Sequence, residues 1–97
     1  MQNTELKSSS SINLNPDVAW RILGKYLIAI TPKDSKVHRF NETGTLIWNN
    51  LDEEPKSLET LRDLMVSNFD VDKKTAQKDL MKFIAEIYNK GLITIDS

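Results

Sequence analysis

The sequence predicts a small α+β domain: a three-stranded antiparallel sheet, then three helices, then a short C-terminal extended segment. Three observations carry that reading. Apolar residues alternate with a period of two between residues 17 and 40, as in half-buried strands. From residue 41 the apolar spacing changes to three and four, as in helices. Ninety-seven residues, 39% apolar and 28% charged, suit one soluble domain around one core.

Residues 1–15 are rich in Ser and Asn, with the run Ser8-Ser9-Ser10-Ser11. They hold too little apolar surface to offset the entropy of ordering, so they are expected to form a flexible tail, with the domain at 16–97. Val18, Trp20 and Ile22 alternate with Ala19, Arg21 and Leu23 in the first strand. Gly24-Lys25 interrupts the pattern before Tyr26, Ile28 and Ile30 alternate with Leu27 and Ala29. Two apolar runs separated by Gly-X predict a two-residue hairpin with Gly24 at positive φ. Pro32-Lys33-Asp34-Ser35 is a second turn, and Lys36 to Phe40 a third short strand.

Asn41 is expected to cap the first helix, with Glu42 favourably placed near its N-terminal dipole. Leu46, Ile47, Trp48 and Leu51 give its apolar stripe, and Pro55 stops it. Trp48 reads as core, whereas Trp20 suits either a core or an exposed contact. Ser57 caps a second helix, about 58–68, with Leu58, Leu61, Leu64, Met65 and Phe69 at helical spacing. Asp70 or Asp72 caps a third, about 73–90, whose main stripe is Ala76, Leu80, Phe83, Ile84 and Ile87. Gly91 ends it where a left-handed backbone is needed. Leu92 to Ile95 is extended. This order is that of a winged helix-turn-helix, an arrangement that hosts many functions.

A chain this short has no room for a cleft between domains, which excludes dinucleotide-fold and barrel enzymes. It has no cysteine, hence no disulfide, thiolate metal site or cysteine nucleophile. The single histidine, His38, excludes a multi-histidine zinc site. Three glycines form no phosphate-cradling loop. Asp52-Glu53-Glu54 falls between helices and reads as a solvated loop. The expectation is a non-catalytic protein with no cofactor or metal. Tyr26 to Ile30, the longest apolar run, is about a quarter of a membrane span. Residues 1–11 carry no signal-peptide core, so the expected setting is the cytoplasm, without membrane contact.

A net charge of −1 is not the balance of a typical nucleic-acid binder. The third helix carries five lysines but no arginine, the residue of the commonest specific base contact. A winged-helix DNA-binding protein is the alternative reading, and no nucleic-acid partner is expected. By segment, charge resolves into +3 for residues 1–41, −5 for 42–71 and +1 for 72–97. Helix three also has a second stripe, Gln77, Met81, Ala85 and Tyr88, which its spacing alone assigns either to core or to a partner-facing surface.

Asn41-Glu42-Thr43-Gly44-Thr45-Leu46-Ile47-Trp48, with Asn49 to Asp52 after it, Pro16-Asp17-Val18 before the hairpin, Asp70-Val71-Asp72 between helices and Lys90-Gly91-Leu92-Ile93 at the end, resembles the PqqD family, also called the RiPP recognition element. The likeness covers roughly residues 16–95. Phe40 stands where the family usually has leucine, and the turn from Pro32 to Ser35 lacks a frequent glycine. The resemblance implies a non-catalytic module that binds the leader segment of a ribosomally made precursor peptide. It also implies a partner tailoring enzyme, such as a radical-SAM enzyme, a cyclase or a leader peptidase. The leader would add as a strand to the third strand, beside helix three. The implied peptide-binding residues are Lys36, Val37, His38, Arg39 and Phe40 on the strand, and Lys74, Gln77, Lys78, Met81 and Ala85 on the helix. Since both walls lie in basic segments, the leader is expected to be acidic around apolar anchors, steered by Lys36, Arg39, Lys74 and Lys78 and held by Val37, Phe40 and Met81. The oligomeric state is left open by the unpaired edge.

Overall fold

Residues 9–96 are described by the computed structural model. Strands β1 (Ser11–Leu14), β2 (Ala19–Leu23), β3 (Tyr26–Ile30) and β4 (Val37–Phe40) precede helix α1 (Glu42–Glu53). A two-residue strand β5 (Lys56–Ser57), helices α2 (Leu58–Asn68) and α3 (Lys73–Asn89), and strand β6 (Ile93–Asp96) follow. No described helix is long and apolar enough to cross a membrane.

The local signals work as their chemistry dictates. Gly24 takes φ +66°, and Leu23 pairs with Tyr26 across the two-residue turn. Asn41, Ser57 and Asp72 each accept a backbone N–H in the first turn of the helix they cap, from Gly44 (2.9 Å), Thr60 (3.1 Å) and Thr75 (2.8 Å). Those hydrogen bonds, through the Thr75 hydroxyl and N–H, hold the Asp72 carboxyl below the usual carboxylate range. Gly91, at φ +76°, donates to the Tyr88 carbonyl and Leu92 to that of Ile87, closing α3.

The three strands expected first form one antiparallel sheet, ordered β2-β3-β4. A second sheet, ordered β5-β1-β6, was not expected. It corrects the boundary of the tail: residues 11–14 are the middle strand of that sheet. Ser11 to Leu14 pair antiparallel with Ile93 to Asp96, and Ser11 and Ile12 also pair with Ser57 and Lys56. Ile12 is 0% exposed. Asn15 reinforces the join, its N–H reaching the Leu92 carbonyl and its side-chain amide that of Gly91. This segment is ordered because a distant strand supplies its ladder, and the core takes in Ile12 and packs against Leu14. Residues 1–8, the rest of the expected tail, lie outside the described residues.

The core lies between the sheets and the three helices. Ile47, Trp48 and Leu51 of α1, Leu58, Leu61 and Met65 of α2, and Ala76, Leu80, Ile84 and Ile87 of α3 meet Ile12, Leu27, Ala29 and Phe40 of the strands. Trp48 is buried, edge-on to Phe40 (5.4 Å between ring centroids) and to Trp20 (6.1 Å). Trp20 is half-buried and packs against this core. The Leu27 N–H donates to the Thr45 hydroxyl (3.0 Å), which ties α1 to the sheet beside the end of β4.

Candidate functional site

Strand β4 pairs with β3 on one side, and among the described residues no strand pairs with its other side. Which backbone groups face that other side follows from the register. The Thr31 N–H donates to the Lys36 carbonyl (3.0 Å), continuing the ladder in which Ala29 faces His38 and Leu27 faces Phe40. Hydrogen-bonded pairs alternate with non-bonded ones in an antiparallel ladder. His38 and Phe40 therefore turn their N–H and C=O towards β3. Val37 and Arg39 turn theirs to the open edge.

Side chains alternate across the sheet faces. Phe40 is buried and His38 half-buried on the inner face, where the His38 Nε2 has no hydrogen-bond partner among the described residues. Val37 and Arg39 point outward. Val37 is 64% exposed, and the Arg39 guanidinium lies over the Tyr26 ring at 4.6 Å. The turn into β4 is anchored by Asp34, whose carboxylate accepts from the Thr31 hydroxyl and the Lys36 N–H. These bonds hold its carboxyl below the usual carboxylate range.

Past the C-terminal end of β4 opens a cavity of about 330 Å³. Ile47, Met65, Phe69, Val71, Leu80 and Phe83 give it apolar walls, and Asn41, Thr43, Asp79, Lys82 and Glu86 line the rest. Phe83 joins the cavity to the strand, standing edge-on to Phe40 at 5.6 Å between centroids. Gly44 makes that possible. A methyl group on it would meet the Phe83 ring at 3.2 Å and the Phe40 Cβ at 3.3 Å, closer than a relaxed carbon–carbon contact.

Of the residues read from the sequence as peptide-binding, Val37, His38, Arg39 and Phe40 form β4, and Lys36 immediately precedes it. Lys74, Gln77, Lys78, Met81 and Ala85 are not brought to the cavity. Two residues of helix turn about 200°, so Met81 and Phe83 point nearly opposite ways. Gln77 instead accepts from Arg62 of α2 (3.5 Å) and donates to the Met81 sulfur (3.5 Å). The α3 flank beside β4 carries Asp79, Lys82, Phe83 and Glu86. The two flanks lie either side of the same buried stripe, and only the position of β4 distinguishes them. The one sequence signal for the nearer flank is Gly44, whose missing side chain marks a close approach. Among the described residues no group of three or more acidic, histidine or cysteine side chains could hold a metal.

A family model described as coenzyme PQQ synthesis protein D (PqqD) matches residues 26–93, a stretch that takes in β4, the cavity and all three helices. The chain belongs to the PqqD family. No curated protein matches it. Two solved structures share this PqqD fold. TbiB1 in complex with the TbiA(β) leader peptide is 22% identical, with a TM-score of 0.77 over 84% of this chain and 93% of that one. Lasso peptide synthetase B1 complexed with its leader peptide is 17% identical, with a TM-score of 0.73 over 86% of this chain and 96% of that one.

Proposed function

We propose that this PqqD-family domain binds the leader segment of a ribosomally made precursor peptide as an added strand on β4. It then presents the peptide to a modifying enzyme, such as a radical-SAM enzyme, a cyclase or a leader peptidase, and performs no chemistry itself. The observation that carries this reading is the open edge of β4 beside the Phe83-walled cavity. An added strand gains main-chain hydrogen bonds from Val37 and Arg39, while side-chain pockets set its register. Alternate peptide side chains fall on the inner face, where the cavity receives an apolar anchor. That both structural neighbours are complexes with leader peptides supports the same reading. The α3 wall of this site is Asp79, Lys82, Phe83 and Glu86.

The test is an NMR titration of the labelled chain with the N-terminal segment of a short precursor encoded beside it. Shifts concentrated at residues 36–44 and at Asp79, Phe83 and Glu86 are the expected result. Saturable binding with shifts concentrated at Lys74, Lys78 and Met81 would move the site to the other flank of α3. Shifts along β2 instead would contradict addition to β4.

A further inference from the structure

Resting on the leader-binding reading, we infer that the bound strand has opposite charges at its two ends: a Lys or Arg beside the apolar residue that enters the cavity, and an Asp or Glu towards the start of β4. A leader acidic around its apolar anchors, as the segment charges suggest, would instead place carboxylates beside Asp79 and Glu86.

The charged side chains around the edge are sorted by position. Asp79 and Glu86 line the cavity on α3, at i−4 and i+3 from Phe83, and so share its face. Glu42 stands in the first turn of α1, between the cavity-lining Asn41 and Thr43. Lys82 is the only cation among the lining residues. The ion pairs of the described residues join Lys56 to Glu53 and Glu54, and Arg62 to Asp63. Among the described residues neither Asp79 nor Glu86 makes an ion pair, both are exposed, and Lys82, one turn from each, offsets one of the two charges. Arg39, one residue before the buried Phe40, holds its guanidinium over the Tyr26 ring on the outer face. At the other end of β4 stand Lys33 and Lys36, with Asp34 between them in sequence. Its carboxylate is already committed to Thr31 and the Lys36 N–H.

Distance decides whether the two ends cancel. Four residues of strand span roughly 13 Å, which exceeds the screening length of about 8 Å at physiological salt. The ends therefore act as two charge sites of opposite sign. A peptide of matching polarity is steered and fixed in register, and one carrying a carboxylate beside its anchor meets Asp79 and Glu86.

The experiment is selection of a random linear peptide library displayed against the full chain. Clones are retained when their binding is lost in Val37→Pro, which removes an edge N–H but no β3–β4 hydrogen bond. The expected clones carry Lys or Arg within two positions of a large apolar residue. In the double variant Asp79→Lys, Glu86→Lys, both at exposed sites, the preference should change to Asp or Glu. A Lys-flanked clone should lose at least tenfold in affinity at low salt and less at high salt. Thermal melting checks that the variant remains folded. Edge-dependent clones with acidic or neutral flanks, or an unchanged preference in the variant, would overturn the charge assignment while leaving leader binding intact. Failure to recover any Val37-dependent clone would overturn the leader-binding reading and the charge assignment with it.

Discussion

The two three-stranded sheets of this domain solve the edge problem in opposite ways. In the β5-β1-β6 sheet the middle strand comes first in the chain, and its partners come from residues 56–57 and 93–96. Its edges are blunted: β5 is two residues long, and β6 turns Thr94 and Asp96 outward. Lys56 on β5 is further held by the Asn50 carbonyl at 2.8 Å. In the β2-β3-β4 sheet the strands are consecutive, and among the described residues no strand pairs beyond β2 or β4. Its outer face keeps apolar side chains in solvent, among them Leu23 at 54% and Val37 at 64% exposed. One sheet joins residues 11–14 to residues 93–96 against the core. The other leaves the edge-facing backbone groups of Val37 and Arg39 without a strand partner among the described residues.

Ile12→Ala breaks the first half of that comparison. A fully buried side chain in the middle strand should cost about 2–5 kcal/mol, measured by urea unfolding. A cost near zero would return residues 11–14 to a tail. Val37→Pro attacks the second half. Its N–H faces the open edge, and proline is tolerated at the first residue of a strand. Stability should therefore change little, while leader affinity falls by on the order of 2 kcal/mol, roughly 30-fold. Titration calorimetry and a thermal melt separate the two effects.

How these features were legible differs by range. The hairpin at Gly24, the caps at Asn41, Ser57 and Asp72, the stop at Gly91 and the burial of Trp48 all follow from residues within a turn or two of one another. The β1–β6 ladder does not. Asn13 and Asp96, joined by a side-chain hydrogen bond, are 83 residues apart, and neither segment carries a local signal naming the other. Strand β4 was legible from its alternation and from the motif that follows it. The α3 wall was not, because Phe83 reads as core and the stripe through Met81 reads as equally available.

Met81→Ala sharpens that last point. Met81 is exposed on the flank away from β4, so its loss should leave stability within about 0.5 kcal/mol and leader affinity unchanged. A tenfold weakening would restore the wall formed by Lys74, Gln77, Lys78, Met81 and Ala85. The smallest effect is local and acidic. Asp34 has a lowered carboxyl pKa when folded, so its contribution is complete above the ordinary carboxylate range and is lost as pH falls through its folded value. The Lys36 amide should report that titration by NMR, with its midpoint below the usual value for aspartate.

Amide hydrogen exchange along β4, with and without bound leader peptide, tests the central claim most directly. In the free chain the Val37 and Arg39 amides should exchange quickly, while His38 and Phe40 are protected by β3. Binding should slow Val37 and Arg39 at least tenfold beyond any change at His38 and Phe40. Unchanged exchange at Val37 and Arg39 in a saturated complex, or new protection at Trp20 and Ile22 of β2 instead, would contradict strand addition at β4.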